Sequence, residues 1–262
     1  MNYLFTHLRQ AWELSLVHLW LSLLPLVLGL LIAVPLGALV HRTKLLRRLT
    51  TVAASIIFTV PSLALFVVLP LIIPTTILSP ANVIVALTLY TVALLVRAVP
   101  EALDAVSPAV LDAATAVGYK PLTRILKVEL PLAIPVLVAS LRVVAVTNIS
   151  MVSVGSVIGI GGLGTWFTEG YQSDKSDQII AGIVAIFVLA ILVDTVIMFA
   201  GKAITPWTRA GRVSKRAARA SEGAGGTAGA SEATGETAGA SEGAGGTAGA
   251  SEATGETQVA AS

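Results

Sequence analysis

Arg142 and Asp194 are the two ionisable residues set well inside long apolar stretches of this sequence. A charge at such depth is expensive in hydrocarbon, so it is paired, snorkels to a polar layer, or serves a pathway. Arg142 lies about eleven residues into its stretch and Asp194 about six from the end of its own, within ~7 Å in depth at helical rise. An ion pair is the first expectation, ahead of unpaired snorkelling and of a pathway role. The remaining chemistry is thin. There are no cysteines, which removes thiol nucleophiles, disulfides and thiolate metal sites. No H-E-x-x-H pattern occurs, and the three histidines, His7, His18 and His41, each read as lying near an interface. Intramembrane aspartyl chemistry needs two apposed carboxylates, and only Asp194 qualifies. With no phosphate-binding G-x-x-x-x-G-K-[ST] loop, any ATP hydrolysis belongs to another chain. The sequence predicts no catalytic residue, no metal site and no cofactor.

Glycines and prolines carry the next signals. "GIGGLG", with Gly159, Gly161, Gly162 and Gly164, satisfies the dinucleotide pattern G-x-G-x-x-G. That pattern binds phosphate only between a strand and a helix, with an acidic residue about 20 positions on, and neither context is present. A tight re-entrant turn packed against protein, where backbone approaches backbone, is the better reading. Pro61 and Ser62 sit inside an apolar stretch, as do Pro25, Pro35 and Pro135. Such prolines free carbonyls that often border a transport pathway, although a plain helix kink is the simpler role for any one of them.

One polar stretch between apolar ones has defined corners: "DAATAVGYKPLTRILKVELP", residues 112–131. The alanines favour helix, Gly118 suits the left-handed position that ends one, and Pro121 suits the first position of the next. Pro131 then suits the first turn of the following apolar helix. The expected product is two short helices at a fixed angle, a docking surface rather than a passive linker. A simple helical hairpin between spans is the alternative.

The elements that position these residues follow from composition. Of 262 residues, 55% are hydrophobic and 12% charged, about half the charge of a soluble domain. Apolar stretches long enough to cross a bilayer fall at 19–40, 51–73, roughly 82–99, roughly 130–156 and 178–200. The third is the weakest, because Arg97 stands near its end. Four basic residues lie in 41–48, four in 97–127 and six from Lys202 onward; the alternate loops hold only Arg9 and Lys175. By the positive-inside rule this predicts an all-α integral membrane protein with five transmembrane helices, N-terminus out and C-terminus in. The glycine turn then lies outside, near an outer gate, and the elbow inside.

Residues 1–18 place Leu4, Leu8, Trp12 and Leu16 near one face, reading as an interfacial helix or an extension of the first span. Residues 19–205 form the transmembrane domain. Residues 206–262 comprise a basic collar at 209–219, suited to anionic lipid, and a tail. In the tail, "SEGAGGTAGASEATGETAGA" recurs with a 20-residue period and without large apolar side chains. Nothing in it offsets the entropy of ordering, so it reads as disordered.

Asp112-Ala113-Ala114, Gly118 and Val128-Glu129-Leu130-Pro131 resemble the EAA…G…(I/V)xLP signature of binding-protein-dependent ABC importer permeases, with Asp in place of the family's Glu. "TVPSLALF" at 59–66 and "IGIGGLG" at 158–164 are similar to the glycine betaine and osmoprotectant branch. The resemblance covers residues 14–205. It implies a permease-type bundle in a bacterial plasma (inner) membrane, multi-pass, importing compatible solutes such as glycine betaine, carnitine, choline or proline-betaine. It also implies three partners: a cytoplasmic ABC ATPase dimer, a second permease subunit, identical or paralogous, and an extracytoplasmic solute-binding protein. Asp112, Ala113, Ala114, Gly118, Pro121 and Pro131 would form the ATPase-coupling loop. No nucleic acid is expected, only the lipid bilayer around the bundle. The alternatives are a permease for another small solute such as methionine, and a non-transporting channel or scaffold.

Overall fold

The computed structural model describes residues 2–76 and 78–207, and every regular element among them is helical. The basic collar and the repeat tail lie outside the described residues. A short helix α1 (Asn2–Thr6) precedes α2 (Leu8–His41). The 34 residues of α2 extend about 51 Å at 1.5 Å per residue, well beyond the ~30 Å hydrocarbon layer. The helix passes without a break through residue 18, where the sequence reading ended an N-terminal element. The exposed side chains of Leu8, Trp12 and Leu16 therefore stand on the first turns of a spanning-length helix. Pro25 and Pro35 lie inside it without interrupting it.

The centre of the molecule is α5 (Pro80–Asp104). Ser79 caps it by accepting the Ala81 N–H at 3.3 Å, and Pro80 opens it, where a missing N–H costs nothing. Val83, Ala86, Leu87 and Val99 are wholly buried. The weakest stretch in the sequence is thus the core helix, and its Arg97 is exposed rather than buried. Close approach to α2 explains how. Gly29, Ala33 and Gly37 recur every fourth residue on α2, a small-residue stripe that lets two backbones meet. A Cβ on Gly29 would stand 2.3 Å from Thr91 Cγ2, and one on Gly37 2.5 Å from Val99 Cβ.

The second apolar stretch is broken. Helices α3 (Lys44–Thr59) and α4 (Ser62–Ile72) meet at an angle of 101°. Val60, which precedes Pro61, is extended at φ −66°, ψ 129°, the conformation that the proline ring imposes on its neighbour. Tyr90 of α5 donates its hydroxyl to the freed Val60 carbonyl at 2.5 Å. Four helices among the described residues are long and apolar enough to cross a membrane, and the bent pair makes a fifth if counted as one.

Three more elements complete the frame. Helix α6 (Pro108–Ala116) follows α5, then α7 (Pro121–Arg124) leads through a π turn (Ile125–Glu129) into α8 (Leu130–Gly155). The second elbow helix is therefore continuous with the following span, not separate from it. Pro131 cannot donate to an i−4 carbonyl, and the wider π register falls immediately before it. A 3₁₀ turn (Ser156–Ile158), α9 (Gly164–Gln172) and α10 (Ser176–Ile204) end the described fold. Gly201 of α10 meets Val138 of α8 so closely that a Cβ would stand 2.5 Å from Val138 Cγ1.

Candidate functional site

The elbow is built by local chain chemistry. Pro108 begins α6, and Gly118 ends it at φ +95°. The Tyr119 N–H donates to the Ala114 carbonyl at 3.1 Å and the Gly118 N–H to the Thr115 carbonyl at 3.0 Å. These are the paired bonds of a Schellman cap, which needs a left-handed residue at this position. Lys120 is then extended (φ −67°, ψ 152°) ahead of Pro121, the first residue of α7. Asp112 and Ala113 are exposed, and Ala114 is buried. A Cβ on Gly118 would meet nothing within 4 Å. Val117, 80% exposed, and Leu122, 60% exposed, extend the same open surface.

Arg124 holds the inner side of this elbow. Its Nε–H donates to Glu129 Oε1 at 2.8 Å, and its Nη1 donates to Thr115 Oγ1 at 2.9 Å. Glu129 is buried. In the sequence reading Arg124 was only a topology charge and Glu129 only part of a signature. At the adjoining helix ends, Asp104 accepts from Arg47 at 2.7 Å and bonds His41 Nε2 at 3.2 Å.

The glycine turn lies at the far end of α8 from the elbow. Gly159 (φ +79°) and Gly162 (φ +107°) take left-handed conformations, and Gly164 presses on Ser153, where a Cβ would stand 2.9 Å from the carbonyl oxygen. Gly161 has open space, so the close approach belongs to Gly162 and Gly164. The turn joins a 3₁₀ segment to α9, with no strand among the described residues, which is no context for a dinucleotide. His18 of α2 fastens it. Its Nδ1 accepts the Leu163 N–H at 3.2 Å, so the ring proton sits on Nε2 and bonds the Ile149 carbonyl at 2.9 Å. His18 is fully buried, and both ring nitrogens are satisfied inside the protein.

Arg142 and Asp194 meet across α8 and α10. Two parallel bonds join them, Nε to Oδ1 at 2.7 Å and Nη2 to Oδ2 at 2.6 Å, the bidentate geometry that suits guanidinium and carboxylate. The two side chains remain 35% and 29% exposed, so the pair lies on a face of this bundle rather than in its core. One turn and a half further along α8, Asn148 donates to Thr91 Oγ1 at 3.0 Å and to the Ser22 carbonyl at 3.3 Å. This buried cluster ties α2, α5 and α8 together, and nothing in the sequence reading singled it out. Pro61 is exposed at the α3–α4 bend with Ser62 beside it. Among the described residues no group of three or more His, Asp or Glu side chains could hold a metal ion.

Comparison with known proteins places these features in a family. Residues 26–210 match the family described as "Binding-protein-dependent transport system inner membrane component". The chain is 33% identical over 210 residues to the osmoprotectant import permease protein OsmW of Salmonella typhimurium, covering 78% of this chain and 96% of that one. It is 34% identical to the choline transport system permease protein OpuBB of Bacillus subtilis, over 72% of this chain and 86% of the relative. It is 33% identical to that organism's glycine betaine/carnitine/choline permease OpuCB, with the same coverage. Among solved structures, an inward-facing MetNI methionine ABC transporter chain superposes with a TM-score of 0.62 at 25% identity, over 79% of this chain and 97% of that one. The chain belongs to the binding-protein-dependent transport family and is the inner-membrane permease subunit of an ABC importer.

Proposed function

We propose that this permease imports quaternary-amine compatible solutes of the glycine betaine, choline and carnitine type. The observation that carries this reading is identity near one third, over most of the chain, to permeases named for those solutes. The methionine transporter resembles it in fold at lower identity. Aromatic residues make up 5% of the chain, few for the aromatic cages that hold quaternary ammonium groups. Selectivity is accordingly assigned to an extracytoplasmic binding protein, and the permease supplies the route.

In this reading the elbow seats in a separate cytoplasmic ATPase dimer. Asp112 and Ala113 on α6, with the open space over Gly118, form its docking face; Ala114, buried, lets α6 pack closely beneath it, and Pro121 and Pro131 fix its exit into α8. A second permease subunit completes the pathway. The bent α3–α4 pair counts as one span, giving five, with the N-terminus outside and the C-terminus inside. Pro61, Ser62 and the turn at Gly159, Gly161, Gly162 and Gly164 border the route. The Arg142–Asp194 pair neutralises two charges that would otherwise face lipid singly. The test is uptake of radiolabelled glycine betaine in cells lacking other importers of this class. Excess choline and carnitine should compete, and excess methionine should not. Competition by methionine alone would reject the solute class.

A further inference from the structure

We infer that Arg124 is a positioning residue: a strut, locked by a π turn, that carries displacement of α6 into α8. This rests on the reading of the elbow as the ATPase-docking surface. In an α-helix, residues five apart stand about 140° apart around the axis and cannot meet. Arg124 and Glu129 are five apart and bonded at 2.8 Å, because the intervening Ile125–Glu129 turn is π. There the Leu130 N–H bonds the carbonyl of Ile125, five residues back. The ion pair therefore depends on the π register. Glu129 keeps 4% of its side-chain surface exposed, and a buried carboxylate stripped of its cation is strongly destabilising.

The other arm of the guanidinium reaches the opposite wall of the elbow. Thr115 Oγ1 accepts from Arg124 Nη1 while donating its own proton to the Leu111 carbonyl at 2.8 Å. Thr115 lies one residue beyond Ala114, on the helix that carries Asp112 and Ala113. Its carbonyl also takes the Gly118 bond of the cap. One planar side chain thus joins the last turn of α6 to the first turn of the spanning helix, across the loop through Gly118 and Pro121. A force applied to α6 has a short, directional route into the start of α8 through this group, beside the apolar contact that Leu111 of α6 makes with the cluster around Ala133 of α8. Lysine could not replace it, since a single ammonium on a flexible stem does not hold two acceptors in a fixed fork.

The experiment uses the assembled transporter, purified with its ATPase subunits, reconstituted with its binding protein and supplied with glycine betaine. The readout is solute taken up per ATP hydrolysed. Arg124→Gln, Arg124→Lys and Glu129→Gln should each lower that ratio by about tenfold, the loss expected when a buried charge-assisted link is cut. Thr115→Val, which removes one exposed hydroxyl, should lower it by roughly two- to fivefold. A wild-type ratio in the variants, or hydrolysis and uptake falling in proportion, would overturn the strut. If Arg124→Gln fails to reach the membrane, Thr115→Val decides by the same criterion. Wild-type uptake in Gly118→Val and Ala113→Glu, on the docking face itself, would instead overturn the docking reading.

Discussion

Gly118 shows how one residue sets the shape of the elbow proposed as a docking surface. Its left-handed φ of +95° costs a residue with a Cβ about 1–2 kcal/mol, and more for a β-branched one. The space around it is open, so the demand comes from the backbone and not from packing within this chain. Gly118→Val should leave the amount of protein in the membrane within about twofold, because the cap is exposed with open space around it and a single cap is worth about 1 kcal/mol. Uptake should fall by more than about tenfold, since both the angle of the elbow and the clearance above it change. Ala113→Glu, on the exposed side of α6, should do the same by steric and charge mismatch alone. Co-purification of the ATPase, measured beside uptake, checks both. Normal uptake in the two variants would remove the elbow from coupling. Arg142 and Asp194 belong to the same scale: depth along two helices was readable from spacing, and the bidentate geometry was set by packing of α8 on α10.

At the level of elements, what was legible in the sequence was what is local. Gly118 as a cap, Pro121 as a first helical residue and the bend at Pro61 each depend on neighbours within a few positions. The contacts that hold the bundle join residues far apart in the chain. His18 finds Leu163 and Ile149, and Asn148 finds Ser22 and Thr91; each of these residues alone is an ordinary polar side chain. The π register that brings Glu129 to Arg124 has no periodic signature, because it is a single turn. Helix α5 was undervalued because hydropathy weighs Arg97 without knowing that it points outward from the buried face. The Gly29, Ala33, Gly37 stripe was the one available sign that α2 receives a close partner. It gives a direct prediction: Gly37→Leu would drive a side chain into Val99, where even a Cβ has 2.5 Å. Overpacking at such a site costs about 1–3 kcal/mol or more, so the variant should lose thermal stability in detergent. Leu36→Ala, at an exposed neighbouring position, should not. Equal melting of the two would show that α2 and α5 do not approach as described.

For the whole molecule, the account requires that α8 carry the elbow at one end and the glycine turn at the other. Its 26 residues extend about 39 Å, more than the ~30 Å hydrocarbon layer, long enough to put the two ends at opposite membrane faces as the proposed arrangement requires. The positive-inside bias is the argument for proposing that the elbow faces the ATP side, and the proposed coupling has no mechanism without that placement. The chain contains no cysteine, so single reporters can be introduced cleanly at two exposed positions. These are Lys120 in the elbow and Ser173 in the turn between α9 and α10. A membrane-impermeant thiol reagent should leave Lys120→Cys unlabelled in intact cells and label it in inverted vesicles. Ser173→Cys should label in intact cells and be protected in inverted vesicles. Labelling of both positions from the same side would contradict the five-span arrangement and remove the elbow from the reach of a cytoplasmic ATPase.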